Sequence, residues 1–347
     1  MNVNEESMYQ ALLDKDPAFE GIFVVAVKTT GVFCRSTCTA RKPRRENVEF
    51  FTSCKEALRH GYRPCKICSP LQKSGETPAA ISKLLNDINR NPVTDMNDGE
   101  LRRRGIEPHS ARRWFKKHHG MTFHAYRRMM RLNAAFTKIR LGEKITSAAF
   151  DSGYGSLSGF NEYFRSVVGD APSKSKSKTL ITIDRLETPI GPMYVCATEK
   201  GICMLEFTDR RMLETELKEL VTHLNAVILP GENPFIMKLR QELTEYFGGT
   251  RKSFTVPLHT PGTEFQQAVW QELQKIPYGT TVSYKQQARA LHKPEAVRAV
   301  ANANGRNRIS IVIPCHRVIG EDGSLTGYGG GLPRKKWLLD FEKSGAK

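Results

Sequence analysis

Cysteine is the side chain to follow first, because five of the eight in this 347-residue chain fall before residue 70. Four of them form Cys34-x-x-x-Cys38 and, 26 residues further on, Cys65-x-x-Cys68. Two short-spaced cysteine pairs suit a tetrahedral Zn²⁺, and in a reducing compartment they do not persist as disulfides. A redox role for Cys65-x-x-Cys68 is the alternative. The spacing predicts one Zn²⁺ per chain with Cys34, Cys38, Cys65 and Cys68 as ligands, and it singles out none of the four as reactive. A purely structural site would need nothing more. Against that stand the cations beside the ligands, Arg35, Arg41, Lys42, Arg44, Arg45, Arg63 and Lys66, which offset thiolate charge and suit a phosphate partner. Cys54, outside both pairs, reads as a small buried residue.

A second cysteine stands in Pro314-Cys315-His316-Arg317, after the apolar run Ile309–Ile313, which reads as a buried strand. A thiol there could be an inert core group. A nucleophilic thiolate needs a base to take its proton and a carboxylate to orient that base. His316 is adjacent, and Glu342, on a closing helix over Lys335–Lys343, is the candidate carboxylate. The run Gly329-Gly330-Gly331 reads as a flexible loop, and no P-loop, Gly-x-Ser-x-Gly elbow or dinucleotide fingerprint points to another enzyme class.

The surrounding chain sets the context. Its length and net charge of +17 predict two or three domains. With 26% charged and 39% hydrophobic residues, neither a disordered nor a membrane protein fits, and no apolar run approaches the roughly 18 residues that span a bilayer. The acidic start, without an apolar segment, reads as lacking a secretory signal, so a cytoplasmic protein with no membrane partner is expected. The charge is uneven: residues 1–78 carry +3, residues 79–178 carry +10 and residues 179–347 carry +4. Such a basic middle suits a nucleic-acid partner, with a solvated basic face as the plain alternative. Ser74-Gly75-Glu76-Thr77-Pro78 and the alternating Ser173–Lys178 read as linkers that bury nothing.

The middle segment repeats one helical plan. Around Ile145–Gly169 a short helix with Ala148 and Ala149 meets Ser152-Gly153-Tyr154, and a second helix carries Phe160, Tyr163, Phe164 and Val167 at helical spacing. Upstream, Gly105 lies between Leu101 and Ile106, and Pro108 opens a helix whose core side is Trp114 and Phe115. Arg112/Lys116 and Arg113/Lys117 form two basic columns on it that suit a major groove. Tyr126, Met129, Leu132, Phe136 and Ile139 predict a long connecting helix. Beyond residue 179, strands are expected over 181–186, 193–197 and 202–207, followed by helices.

On these residues the middle segment resembles the DNA-binding domain of AraC-type activators. From Phe265 through Glu342 the chain resembles the O6-alkylguanine-DNA alkyltransferases. All three parts in order, with Thr29–Arg35 and Tyr62–Lys66, are similar to the Ada-type bifunctional proteins of the bacterial response to DNA methylation. The resemblance implies a multidomain α+β protein. Its parts are a small zinc-bound α+β domain (1–75), an all-α double helix-turn-helix domain (79–174), an α/β, RNase H-like subdomain (179–258) and a helical, winged-helix-like catalytic subdomain (259–347).

The same resemblance implies a single-turnover methylated-DNA–protein-cysteine methyltransferase. Cys315 would accept the methyl group of O6-methylguanine, His316 would act as base by way of a water, and Glu342 would orient it. Asn307 falls on the hinge, Tyr284 on the pocket tyrosine that supports the departing guanine, Tyr328 on the pocket's lid, and Arg298 on the finger that replaces a flipped base. Small residues beside Arg298, Ala299, Ala301, Ala303 and Gly305, would allow close approach to the minor groove. Cys34 would accept a methyl group from phosphotriesters, switching the protein into an activator. Arg35, Arg63, Arg112, Arg113, Lys116 and Lys117 would contact DNA. Double-stranded DNA and RNA polymerase would be the partners of a monomer in the bacterial cytoplasm, on the nucleoid. Arg308 departs from the pattern, since many relatives have Pro after the hinge Asn, and a looser turn is expected there. The rival reading is a zinc-dependent DNA-binding regulator with an inactive or purely sensing alkyltransferase domain; repair without regulation is a third.

Overall fold

The computed structural model describes residues 5–16, 19, 22–68, 70, 71 and 77–345. Of the first expected linker, Ser74, Gly75 and Glu76 lie outside the described residues. The fold is multidomain α+β.

The first part holds α1 (Glu5–Asp14), β1 (Val24–Val27), β2 (Val32–Arg35), β3 (Val48–Phe51), α2 (Cys54–Arg59) and β4 (Arg63–Pro64), in a sheet of order β3-β1-β2-β4. Alternation along β1 sends Val25 toward Ala11 and Leu12 of α1, and Val24 and Ala26 toward Phe33 and Ala57. Each cluster has only five fully buried apolar residues, too few to hold a domain this small without help from a metal. Cys54 is half-buried, not buried as expected, and its thiol donates to Pro70 O (3.1 Å).

The second part is all helix: α3 (Ala79–Arg90), α4 (Asp98–Arg103), α5 (Pro108–His119), α6 (Phe123–Arg140), α7 (Ile145–Asp151) and α8 (Leu157–Val168). Gly105 and Gly153 sit at φ 71° and 81° in the two turns, a conformation that favours glycine. One end of α6 gives Phe123, Tyr126 and Met130 to a core with Leu101, Ile106 and Phe115; the other gives Leu132, Phe136 and Ile139 to a core with Phe160 and Phe164. The connecting helix is therefore shared by both units.

The third part comprises β5 (Thr179–Leu186), β6 (Met193–Thr198), β7 (Gly201–Phe207), α9 (Leu213–His223), β8 (Ala226–Pro230) and α10 (Pro234–Phe247). The sheet order is β7-β6-β5-β8, antiparallel except for the parallel β5–β8 pair. The sequence pattern missed β8, a five-residue strand whose partner lies across α9. The fourth part, which the resemblance would make the catalytic one, has α11 (Glu264–Gln274), β9 (Val282–Ser283), α12 (Tyr284–Ala290), α13 (Val297–Gly305), β10 (Val318–Ile319) and α14 (Leu332–Gly345).

Two expectations fail here. Ser173–Lys178 is no free linker: Pro172–Lys174 form a 3-10 turn, Ser175 is fully buried with Oγ donating to Ala171 O (2.9 Å), and Lys178 Nζ reaches Val168 O (2.9 Å). The segment is pinned because Leu180, Val227 and Leu229 of the third part complete the apolar cluster of α6 and α8, while Asn133 Nδ2 donates to Pro230 O (2.8 Å). Ile309–Ile313 is no strand either. Only Ile309 bridges to Leu205, and Ile311 turns the chain back at φ 73°. Apolar content came from burial on all sides, not from a sheet ladder, which is why a periodicity argument misread it.

Candidate active site and metal centre

Around Cys315 the chain is held by side chains. Asn307 Nδ2 donates to Ile313 O (2.9 Å) and to Cys315 Sγ (3.2 Å), while its Oδ1 accepts from Ile309 N (2.9 Å). One amide thus closes the turn, including Ile311, whose left-handed backbone costs about 1–3 kcal/mol for a β-branched residue. Burial pushes the Cys315 thiol up, and the Asn307 hydrogen bond opposes that.

His316 is fully buried beside it, with Nε2 on Glu342 Oε1 (2.9 Å). Its Nδ1 has no hydrogen-bond partner among the described residues. Since Nε2 engages a carboxylate, that contact favours the tautomer with the proton on Nε2 and a bare Nδ1. Glu342 also accepts from Arg317 Nε (2.8 Å) and Nη2 (2.9 Å), from Tyr246 Oη (2.7 Å) and from Gly279 N (3.2 Å). Burial works against its charge, but the hydrogen bonds from His316 and Arg317 outweigh burial and hold the carboxyl well below the usual range. Burial also lowers His316, which favours the neutral ring.

Next to this cluster a cavity of about 550 Å³ is lined by Tyr284, Arg298, Gly305 and Tyr328, together with Arg210 and Met212. The Ser283 cap with Gln286, a reciprocal capping box, fixes the start of α12 and so the placement of Tyr284, whose hydroxyl donates to Thr326 O (3.3 Å). The Tyr328 ring lies 6.4 Å from that of His316. Arg298 is exposed on α13; of the small residues beside it, Ala299 and Gly305 are exposed but Ala303 is buried, its carbonyl accepting from Trp270 Nε1 (2.9 Å). The expected stripe of four is corrected accordingly, since alternate residues of a helix do not share a face. The glycine run is no flexible loop: a Cβ on Gly330 would lie 2.6 Å from Phe207 and one on Gly329 would run into Arg210.

The four cysteines also converge. Cys34 at the end of β2, Cys38, Cys65 and Cys68 place their sulfurs within 4.8 Å of one another, and three of them are buried. Cys38 Sγ accepts from Ala40 N and Cys68 Sγ from Arg35 N, both at 3.5 Å. Backbone donors aimed at sulfur suit thiolates, and four thiolates fit one Zn²⁺. Cys34 Sγ accepts no such bond among the described residues. Arg35 Nε donates to Cys68 O (3.1 Å), Lys42 Nζ to Cys38 O (3.2 Å), and Arg63 is exposed on β4.

Arg112, Arg113, Lys116 and Lys117 are exposed on α5, Arg112 pairing with Asp98. Trp114 packs from the core side of α5 against the cluster that holds Phe115; it is half-buried, stacks on His118 (4.6 Å), and also lines a crevice against Asp184 and Arg240 of the third part.

Comparison with known proteins bears on the whole chain. Residues 7–70 match the metal binding domain of Ada and residues 101–178 a helix-turn-helix domain. Residues 181–260 match the ribonuclease-like domain of 6-O-methylguanine DNA methyltransferase, and residues 264–344 its DNA binding domain. The sequence is 33% identical over 351 residues to the bifunctional transcriptional activator/DNA repair enzyme Ada of Escherichia coli (strain K12), covering 98% of this chain and 97% of that one. The chain belongs to the Ada family. It is also 35% identical over 338 residues to the regulatory protein ada of Salmonella typhimurium, covering 94% of each. A methylated-DNA–protein-cysteine methyltransferase of Methanosarcina barkeri is 41% identical over 165 residues, 46% of this chain and 96% of that one. The family's zinc-binding module and the four converging cysteines together account for one Zn²⁺. Among the described residues no helix is long and apolar enough to cross a membrane.

Several groups at the site escaped sequence reasoning. Arg317 stands in the Pro-Cys-His-Arg motif and its partner Glu342 had been singled out, so a signal existed. Tyr246 on α10 gave none. Lys335 is fully buried with Nζ on Val318 O and Thr326 O (both 2.6 Å), and burial lowers it to about 8.

Proposed function

We propose that this protein repairs methylated DNA by irreversible transfer to two of its own cysteines: Cys315 from O6-methylguanine and Cys34 from methylphosphotriesters. Methylation at Cys34 then turns it into a sequence-specific activator of alkylation-response genes. The division of labour follows residues 1–75, 79–174, 179–258 and 259–347. The observation that carries the reading is the order of contacts Glu342, His316 with a bare Nδ1, and Cys315 held by Asn307, beside a cavity lined by Tyr284, Arg298 and Tyr328.

In the guanine reaction Cys315 gives its proton to His316 Nδ1 by way of a water, and the Glu342 carboxylate balances the imidazolium. The thiolate attacks the methyl carbon, forming the S–C bond while the C–O6 bond breaks, and the base leaves with that electron pair. Tyr284 supports the departing guanine, Tyr328 covers the pocket, and Arg298 fills the stack left by the flipped nucleotide. The product thioether has no leaving path, so one guanine is repaired per molecule.

At the other site Zn²⁺, when bound, keeps the four cysteines as thiolates at neutral pH. Cys34 is chosen among the four by the family's motif. Loss of its charge on methylation reduces repulsion between this face, with Arg35 and Arg63, and a DNA phosphate. The two helix-turn-helix units supply sequence reading, α5 with Arg112, Arg113, Lys116 and Lys117. Double-stranded DNA and RNA polymerase are the partners of a cytoplasmic, nucleoid-associated monomer.

The test is an intact-mass measurement after incubation with duplex DNA carrying either lesion. One methyl increment per lesion type is expected, at Cys315 and Cys34 respectively, and Cys315→Ala should lose only the guanine increment. Multiple turnovers, or a guanine increment retained in Cys315→Ala, would refute the assignment. In reconstituted transcription, protein methylated at Cys34 should activate and the unmethylated form should not.

A further inference from the structure

The hinge turn that carries Asn307 is gripped from outside by a helix that plays no part in the chemistry above. On α9, Glu216 and Glu219 lie three residues apart and so on one face. Glu219 accepts from Arg306 Nη1 (3.1 Å) through one oxygen and from Arg308 Nη2 through the other, so a single carboxylate joins the residues on either side of Asn307. Arg308 Nη1 is spent on Pro261 O (2.9 Å). One turn earlier, Glu216 holds Arg210 (2.7 Å), and Arg210 in turn donates to Gly305 O (2.9 Å) and reaches Asn307 O (3.5 Å). The backbone is stitched as well, by Leu205 N to Arg308 O and Ser310 N to Leu205 O, both 2.8 Å. Arg308 was expected to loosen this turn; instead it is buried and anchored.

We infer that Glu219, acting through Arg306 and Arg308, is a positioning residue for Cys315: it fixes the turn so that Asn307 can hold both the thiol and the strained 309–313 segment. This rests on the reading of Cys315 as the methyl acceptor. The clamp crosses from the third part of the chain to the catalytic part, so the half without the nucleophile sets the nucleophile's geometry. The Arg308 N–H donates to no described residue, so proline at 308 would remove no described backbone bond while restricting the turn covalently.

The test is single-turnover methyl transfer from an O6-methylguanine duplex by the full-length protein, at saturating DNA. Glu219→Ala should lower the transfer rate constant about ten- to a hundredfold, the scale expected for a small misplacement of a reacting group. Duplex affinity should stay within about threefold, because the lost interaction acts on chemistry and not on binding. The same change made in an Arg308→Pro background should cost less than about threefold, since proline then restricts the turn instead. A structural role alone would move the melting temperature and leave the rate of the folded fraction unchanged; that result, or equal deficits in both backgrounds, overturns the inference. If Glu219→Ala does not fold, Glu219→Gln, which keeps the side chain's shape, takes its place in both arms. Should the parent protein itself leave Cys315 unmethylated, it is the reading of the active site that fails; a fully active parent with a fully active Glu219→Ala sinks the clamp alone.

Discussion

Replacing Glu342 by Gln puts the proposed proton relay to its most direct test. The two carboxylate oxygens accept five hydrogen bonds, three at Oε1 from His316, Arg317 and Tyr246, and two at Oε2 from Arg317 and Gly279. Glutamine keeps the shape but offers one acceptor and one NH₂, and either orientation turns that NH₂ toward a guanidinium that has no acceptor. Arg317, almost fully buried, keeps Ile276 O (2.6 Å) but loses its counter-charge. Breaking a buried pair from one side costs about 3–5 kcal/mol. The rate should fall as well: the imidazolium formed on His316 loses a charge about 4 Å away, worth up to ~4 kcal/mol at an effective dielectric of 20. We expect transfer from O6-methylguanine to slow by about 10²–10³-fold, measured by quenched single-turnover reactions at a temperature where circular dichroism finds the variant folded. Duplex affinity should not change. Transfer within about threefold of the parent would mean that His316 needs no countercharge, and the relay would be wrong.

The same pair carries a pH signature. Glu342 sits below its ordinary value of 4.5 in the folded protein, so its stabilisation is complete above that pH and is lost as pH falls through and below it; the stability gap between parent and Glu342→Gln should shrink over that range in acid denaturation. Cys68→Ser should release Zn²⁺, unfold the region before residue 75 and leave guanine repair intact, read by metal analysis and by transfer to Cys315. Gly330→Ala should destabilise the catalytic part by about 1–3 kcal/mol and slow guanine repair, because the new methyl meets Phe207 and Tyr328 at under 3 Å; an unchanged melting temperature would show that the loop yields freely. Leu229→Ser, at the contact between α6 and β8, should speed proteolysis within residues 173–178 without altering the folded catalytic part.

What could be read from the sequence follows from which physical signals are local. The four zinc ligands and the Pro-Cys-His-Arg motif were legible because metal and nucleophile chemistry constrains residue type at short spacing. Both helix-turn-helix units were legible because a helix of amphipathic period interrupted by Gly105 or Gly153 leaves few alternatives. Apart from the small-residue stripe on α13, the misreadings involve partners distant in the chain. Ile309–Ile313 looked like a strand because burial on every side produces the same apolar run as a sheet. Ser173–Lys178 looked free because nothing near it announces that Leu180, Val227 and Leu229 complete the core of α6 and α8. The anchoring of Lys335 and Arg308 gives no local signal because their acceptors, Val318 O, Thr326 O and Glu219, come from other elements.

On the proposed assignments the two cysteines reach reactivity by opposite routes, and the proposed substrates account for the difference. Cys315 is buried, its thiol is pushed up by that burial, and its proton must be taken at the moment of reaction, which is affordable only where the base, its carboxylate and the target methyl are enclosed together. A guanine flipped into the cavity beside Tyr284 and Tyr328 would approach that condition. A phosphotriester stays on the outer face of the duplex, where no pocket can enclose it. A cysteine that a bound Zn²⁺ would hold as thiolate in a four-sulfur cluster among cations would need no base at all. Swapping the environments should therefore fail in both directions: adding a neighbouring histidine near Cys34 should not accelerate phosphotriester transfer, whereas removing the His316 ring by His316→Phe should slow guanine transfer by about 10²-fold or more. A transfer rate in His316→Phe that rises with pH as the thiol ionises unaided would separate this account from one in which His316 serves only to fill space.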